Sequence, residues 1–227
     1  MNFDVSYMLS VIPQILGYLP ITLLISLLSI LLATVLGLIF ALLLRIENRG
    51  FGRIVVGFAH LYISFFSGTP VLVQLLIIYF GLPQLFPALN SMSAINAVIL
   101  GLSLNTSAYL AEIFRAAIDS VDKGQLEASL ASGLTLSQAS RRILFPQACR
   151  NAIPATGNVY IGLIKNSSLA FTLGVSELLA AGKLAATESL KYFEAYFAVG
   201  LIYWALTIVL SELQRRLEKF FNKPYVQ

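Results

Sequence analysis

Charge is scarce in this chain. Of its 227 residues only 11% are Asp, Glu, Lys or Arg, while 58% are hydrophobic. Mean hydropathy is +0.82. A water-soluble domain carries about 25% charged residues, so a surface facing water on every side is excluded. Cysteine occurs once, at Cys149, and histidine once, at His60. An intrachain disulfide or a Cys/His metal cluster needs more ligands than that, so no metal site is expected. Cys149 reads as a small packing residue near a helix end. No G-x-x-x-x-G-K-[ST] string occurs, so the chain has no P-loop of its own for ATP. H-E-x-x-H, C-x-x-C and G-x-S-x-G are missing too, which leaves no catalytic constellation and no cofactor site. The first ten residues contain Asp4 but no Lys or Arg, unlike the basic start of a cleavable signal peptide.

What is present is long apolar sequence. Residues 15–44 contain no charged group, and residues 54–111 contain only His60 among ionisable candidates. A spanning helix needs roughly 20 apolar residues, so the second run holds two helices and a turn. The expected class is an all-α integral membrane protein of one domain, residues 1–227. Its five spans are predicted at about 15–44, 54–82, 94–117, 148–176 and 193–214. The Asn-x-Ser matches at Asn105 and Asn166 fall inside these spans and are read as chance.

The basic residues are placed unevenly. Arg45, Arg49, Arg53, Arg115, Lys123, Arg141, Arg142, Arg150, Arg215, Arg216, Lys219 and Lys223 fall in segments 45–53, 115–150 and 212–227. Lys165, Lys183 and Lys191 do not. By the positive-inside rule this predicts an outside N-terminus and a cytoplasmic C-terminus. The net charge of +4 therefore reads as topology, and no nucleic acid partner is expected.

Two interruptions carry the mechanism. Span two is broken at S-G-T-P (67–70), where Pro70 withholds a backbone N–H and Gly68 permits unusual dihedrals. A broken helix at membrane depth is tolerated where it lines a wet cavity or is buried in protein. Between spans three and four lies a polar insert. Asp122 with Gln125 fits a capping-box variant, a helix follows over about 122–133, and Gly133 suits a left-handed C-terminus. Thr135 with Gln138 is a second box, opening a helix with Arg141 and Arg142. Ser26, Ser29, Ala33 and Gly37 form a stripe for close helix packing.

These segments resemble a known family. E-A-S-L-A-S-G (127–133) with I-L-F-P (143–146) is similar to the signature of permeases from ATP-binding-cassette (ABC) importers. G-T-P-V-L-V-Q (68–74), S-A-Y-L-A-E-I-F-R (107–115), P-Q-A-C-R-N-A-I-P (146–154) and L-I-K-N-S-S-L (163–169) resemble the polar amino acid subgroup, in order, over about residues 15–220. The chain departs from that pattern at Ser129, Phe145, Ser67 and Asn166-Ser167; the last two bear on substrate preference.

The resemblance implies a type I importer permease in a bacterial cytoplasmic membrane, moving polar amino acids by alternating access. It implies two ATPase subunits that hold ATP and Mg, an extracellular or periplasmic solute-binding protein, and a second permease, identical or related. The helix 122–133 becomes the coupling helix, through Gln125, Leu126, Glu127, Ala128, Leu130 and Gly133. Without the flanking motif, Glu127 is a solvated capping charge.

Glu112 and Lys165 are intramembrane charges, which are functional hypotheses by default. Asn105, Tyr109 and Glu112 share one helix face, as do Lys165 and Ser168. The expectation is that Glu112 holds a substrate ammonium, while Lys165 and the exposed amides around Gly68 and Thr69 hold its carboxylate; Ser67 and Ser168 are counted with the same substrate site. The structural alternative pairs Glu112 with Arg115 or Lys165 so that it survives the low dielectric. A secondary amino-acid transporter is the other functional class. It needs no capped cytoplasmic helix and usually shows inverted repeats, and none is found here.

Overall fold

The computed structural model describes residues 3–222, and within them every regular element is helical. Lys223, counted above with the basic tail, lies outside the described residues. The chain opens with α1 (Val5–Leu16), capped by Asp4, whose carboxylate accepts the Tyr7 N–H at 2.9 Å. α2 follows over Leu19–Leu43. The first apolar run is thus two helices rather than one span from residue 15. The chain turns at Gly17 and Tyr18, and Pro20 sits in the first turn of α2, where its missing N–H is no loss.

α2 is about 38 Å long at 1.5 Å per residue, enough to cross the bilayer core. Its leucines at 23, 27 and 31 face outward, while Ser26, Ser29, Ala33 and Gly37 are buried as the stripe predicts. That stripe meets α6 (Ala94–Asp119), the most enclosed of the long apolar helices. The approach is close because the stripe side chains are small. A Cβ added at Gly37 would stand 2.7 Å from the Leu110 Cβ.

α3 (Phe51–Gly68) ends at the expected break, and α4 (Val71–Leu76) resumes the path. Gly68 needs no unusual dihedral. It remains helical, and the turn is made by extended backbone at Thr69 and Pro70. Phe40 stacks on Tyr62 with centroids 3.9 Å apart, fixing α3 to α2. A widened turn at Ile77–Gly81 leads into α5 (Leu82–Leu85), and a 3₁₀ turn (Pro87–Ser91) returns the chain to α6.

The polar insert forms α7 (Lys123–Ala131) and α8 (Leu136–Ala139). Asp122 caps α7 by accepting the Gly124 N–H at 2.6 Å, while the Gln125 N–H bonds the Asp122 carbonyl at 3.1 Å. Gly133 takes φ +84, as a left-handed terminus requires. Thr135 and Gln138 form the full reciprocal box. A second widened turn, Ser140–Leu144, carries Arg141 and Arg142 into α9 (Phe145–Asn166).

Both widened turns have one cause. Each closes on an N–H bonding five residues back, Leu82 to Ile77 and Phe145 to Ser140, and each is followed by a proline, Pro83 or Pro146. Proline cannot donate and its ring crowds the carbonyl four residues earlier, so the turn before it opens. α9 runs through Pro154 and continues as a 3₁₀ segment (Ser167–Leu173) to Gly174 at φ +81. α10 (Leu178–Ser189) and α11 (Tyr192–Asn222) complete the chain; α11 extends eight residues past the predicted end at 214.

Among the described residues four helices are long and apolar enough to cross a membrane: α2, α3, α6 and α11. Leu136–Leu173 with α10, bent by 53°, forms a fifth candidate. α1, α10 and α11 share a core around Ile15, Leu178, Ala185 and Val199. There Glu177 is fully buried. It caps α10 through the Ala180 N–H and accepts the Tyr203 hydroxyl, each at 2.9 Å.

Candidate functional site

The break in span two leaves carbonyls that an intact helix would bond. Phe66 C=O should receive the N–H of residue 70, but Pro70 has none. Two side-chain amides take its place. Gln74 Nε2 donates to Phe66 O at 3.0 Å, and Asn105 Nδ2, from α6, donates to it at 2.8 Å. Gln74 Nε2 also lies 3.1 Å from Thr69 O and 2.7 Å from Thr69 Oγ1, and Asn105 Nδ2 donates to Gln74 Oε1 at 3.1 Å. The next carbonyl, Ser67 O, accepts the Tyr109 hydroxyl at 3.2 Å. The Ser67 and Thr69 hydroxyls bond back to Ile63 O and Phe65 O, at 2.6 and 2.8 Å. Buried amides must be satisfied in this way, since an orphaned acceptor costs about 1–3 kcal/mol.

A cavity of about 340 Å³ opens against this break. Thr69, Pro70 and Val71 form one wall, Asn105, Thr106 and Tyr109 of α6 a second, and Val159, Gly162, Leu163 and Asn166 of α9 the third. Its polar lining is neutral: hydroxyls and amides, with no Asp, Glu, Lys, Arg or His. Asn105 spends its N–H groups on Phe66 and Gln74, while its Oδ1 accepts no hydrogen bond among the described residues.

The expected site residues separate into two groups. Thr69, Asn105 and Tyr109 meet at the cavity, and Ser67 touches it through Tyr109. Gly68 is exposed at the end of α3 and does not line it. Glu112 lies one turn below Tyr109 and pairs with Arg115 at 2.6 Å; Arg115 also reaches Asp119 at 3.4 Å, and Asp119 pairs with Arg45. Lys165 is exposed beside Asn166, and Ser168 donates to the Lys165 carbonyl at 2.8 Å. Neither lines the cavity. Gln74, Val159, Gly162 and Leu163 carried no assigned role in the sequence, and Asn166 only that of a departure bearing on substrate preference. Gln74 was visible as the single amide in an apolar run, four residues after Pro70. Val159, Gly162, Leu163 and Asn166 share one helix face, yet nothing in their composition marks a lining.

α7 stands apart from this site. Gln125, Glu127, Ala128, Leu130 and Gly133 are exposed, Leu126 is half-buried, and Ser129 packs inward. Leu130 is 42% exposed although it is a leucine on a short polar helix.

A helical membrane chain with an interrupted crossing, a polar cavity beside it and a capped extramembrane helix defines a permease driven by partner subunits. The chain belongs to the family described as binding-protein-dependent transport system inner membrane component, whose model matches residues 33–223. It is 54% identical to the Bacillus subtilis (strain 168) "Probable amino-acid permease protein YxeN", over 99% of this chain and 98% of that protein. It is 40% identical to the "L-cystine transport system permease protein TcyL" of the same organism, over 97% of this chain and 92% of that one. Among solved structures, an amino acid ABC transporter crystallised with histidines superposes with TM-score 0.86 at 34% identity, covering 96% of this chain and 99% of that one. An inward-facing methionine transporter, MetNI, superposes with TM-score 0.74 at 18% identity over 97% of this chain and 99% of its own, a likeness of fold.

The fold is therefore that of a type I ABC importer permease. The chain is the inner-membrane component of such an importer, its ATPase is a separate subunit, and a substrate-binding protein accompanies it. Nucleotide binds the ATPase, and the permease carries no cofactor of its own. No finding favours a secondary transporter.

Proposed function

We propose that this permease imports polar amino acids and that the cavity beside the Thr69–Pro70 break is its substrate site. The observation that carries this reading is the neutral polar lining against an interrupted helix. A zwitterion needs acceptors for its ammonium and donors for its carboxylate without a large net field. The free Oδ1 of Asn105 suits the ammonium. Asn166 and the hydroxyls of Thr69, Thr106 and Tyr109 line the remainder. Glu112 and Lys165 flank the cavity, and we assign them to charge balance along the path, Glu112 being already engaged by Arg115. The relatives named for arginine and glutamine transport support the amino acid class.

In this reading the face of the fold bearing α7 is cytoplasmic and the N-terminus is outside. Two ATPases dock beneath a pair of permeases, a second copy or a sister chain. Residues 125–133 lie on the ATPase, with Leu130 as the apolar contact and Glu127 as the charged one. Nucleotide-driven closure then favours one membrane conformation because α7 binds the ATPases differently in each state.

The test is uptake of labelled L-glutamine, L-arginine and L-cystine by the complete transporter in proteoliposomes. Gly162→Leu fills the cavity where an added Cβ meets nothing within 4 Å, and uptake is expected to fall sharply with assembly intact. Leu130→Asp is expected to release the ATPase. Undiminished uptake by the filled variant removes the cavity from the path, and ATPase retention by Leu130→Asp removes α7 as the docking element.

A further inference from the structure

Gln74 is 2% exposed inside an apolar helix, an expensive place for a carboxamide unless each of its groups is used. Its nitrogen faces Phe66 O, Thr69 O and Thr69 Oγ1, and its oxygen takes the Asn105 amide. A single side chain therefore spans the break from the resumed helix α4 back to the end of α3, and sideways to α6. The two residues it holds, Thr69 and Asn105, line two of the cavity's three walls.

We propose that Gln74 is the positioning residue of the permeation site, and that its carboxamide sets which amino acid the cavity accepts. It touches no substrate. It orients the Thr69 hydroxyl, which donates to Phe65 O and receives the Gln74 N–H. It also fixes the Asn105 amide with its N–H groups inward, so that Oδ1 remains for a ligand. Removing the amide leaves the Asn105 side chain held by the Phe66 carbonyl alone and lets Thr69 leave its extended turn. The cavity then loses definition while the core around Leu75 and Ile78 persists. This rests on the reading of the cavity as the substrate site.

The experiment uses the assembled transporter with its ATPase and binding protein in proteoliposomes. Amino acid moved per ATP hydrolysed is measured for labelled L-glutamine, L-arginine and L-cystine. Gln74→Leu keeps the volume and removes the amide. The expected result is a loss of about tenfold in molecules moved per ATP, the scale of losing hydrogen bonds to buried acceptors. Preference among the three amino acids is expected to flatten, while assembly and hydrolysis persist. A merely structural residue would lower assembly, hydrolysis and uptake in parallel and leave the ratio and the preference unchanged; that result overturns the proposal.

Should Gln74→Leu fail to assemble, Pro70→Ala is added to return an N–H to the Phe66 carbonyl. The assembled double variant is expected to keep the low ratio, and a ratio restored to the parent value overturns the proposal. Gly162→Leu is run alongside. An unchanged ratio there refutes the cavity as substrate site, whatever Gln74 does, so the two failures are distinguishable.

Discussion

Replacing Gly37 by alanine adds one methyl at the closest approach of α2 to α6. That carbon would lie 2.7 Å from Leu110 Cβ, 3.2 Å from Ser107 O and 3.3 Å from Ala111 N. Carbon atoms rest at about 3.5–4.0 Å, so the two helices must part by up to about 1 Å. None of the three neighbours is the loose end of a side chain, so relief has to come from backbone. Overpacking of this kind costs about 1–3 kcal/mol, and the helical gain of Gly→Ala returns about 0.5–1 kcal/mol. Overpacking wins. A central net loss of about 1.2 kcal/mol lowers the thermal midpoint by about 2.5–5 °C in a chain of this size. The assay is the midpoint at which the purified complex loses its monodisperse peak. Gly57→Ala and Gly200→Ala, whose added Cβ atoms meet nothing within 4 Å, are the controls and are expected to hold or gain. A Gly37→Ala midpoint equal to those controls would refute the close-packed α2–α6 seam.

Further outcomes follow from the groups that hold α1 and α10. Lys191 Nζ donates to Asp4 at 2.6 Å, and with the Tyr7 N–H it holds the Asp4 carboxyl well below its ordinary 3.8; the same bond raises Lys191 above 10.5. A lowered acid stabilises above its unfolded pKa and loses that effect as pH falls through the folded value. A raised base stabilises below its unfolded pKa and loses it as pH rises through the folded one. Amide protection in the first turn of α1, taken relative to the intrinsic exchange rate at each pH, is therefore expected to hold between about pH 4 and pH 10 and to fall beyond either edge. Lys191→Met is expected to lower it throughout. Tyr203→Phe strips a hydroxyl from the buried Glu177 carboxylate and is expected to cost about 1.5–3 kcal/mol, read as a lower thermal midpoint; a midpoint within error of the parent would show that Glu177 does not depend on that bond.

The parts of this fold legible in sequence are those where one residue type has one physical consequence. Pro70 cannot donate, so α3 stops just before it. Gly133 tolerates positive φ, so α7 stops there. The small residues from Ser26 to Gly37 face a partner because nothing larger fits. Other features depend on neighbours distant in sequence. The turn at Gly17 and Tyr18 is hidden because apolar residues continue on both sides of it. The widened turns before Pro83 and Pro146 are not legible, since proline alone does not say how the strain is relieved. At Glu112 the sequence allowed a partner at Arg115 or Lys165, and only the packing shows the carboxylate on Arg115. The α9 wall of the cavity was invisible because Val159 and Gly162 become a lining only opposite Asn105 and Tyr109.

The clasp between Asp4 and Lys191 joins positions 187 residues apart. A ribosome adding about 5–20 residues per second takes about 10–40 s to make that stretch. Throughout this interval the first helix has no docking surface, because Ala185, Ser189 and Glu194 do not yet exist. α1 therefore settles late, since its clasp cannot close until the segment carrying Lys191 has been made.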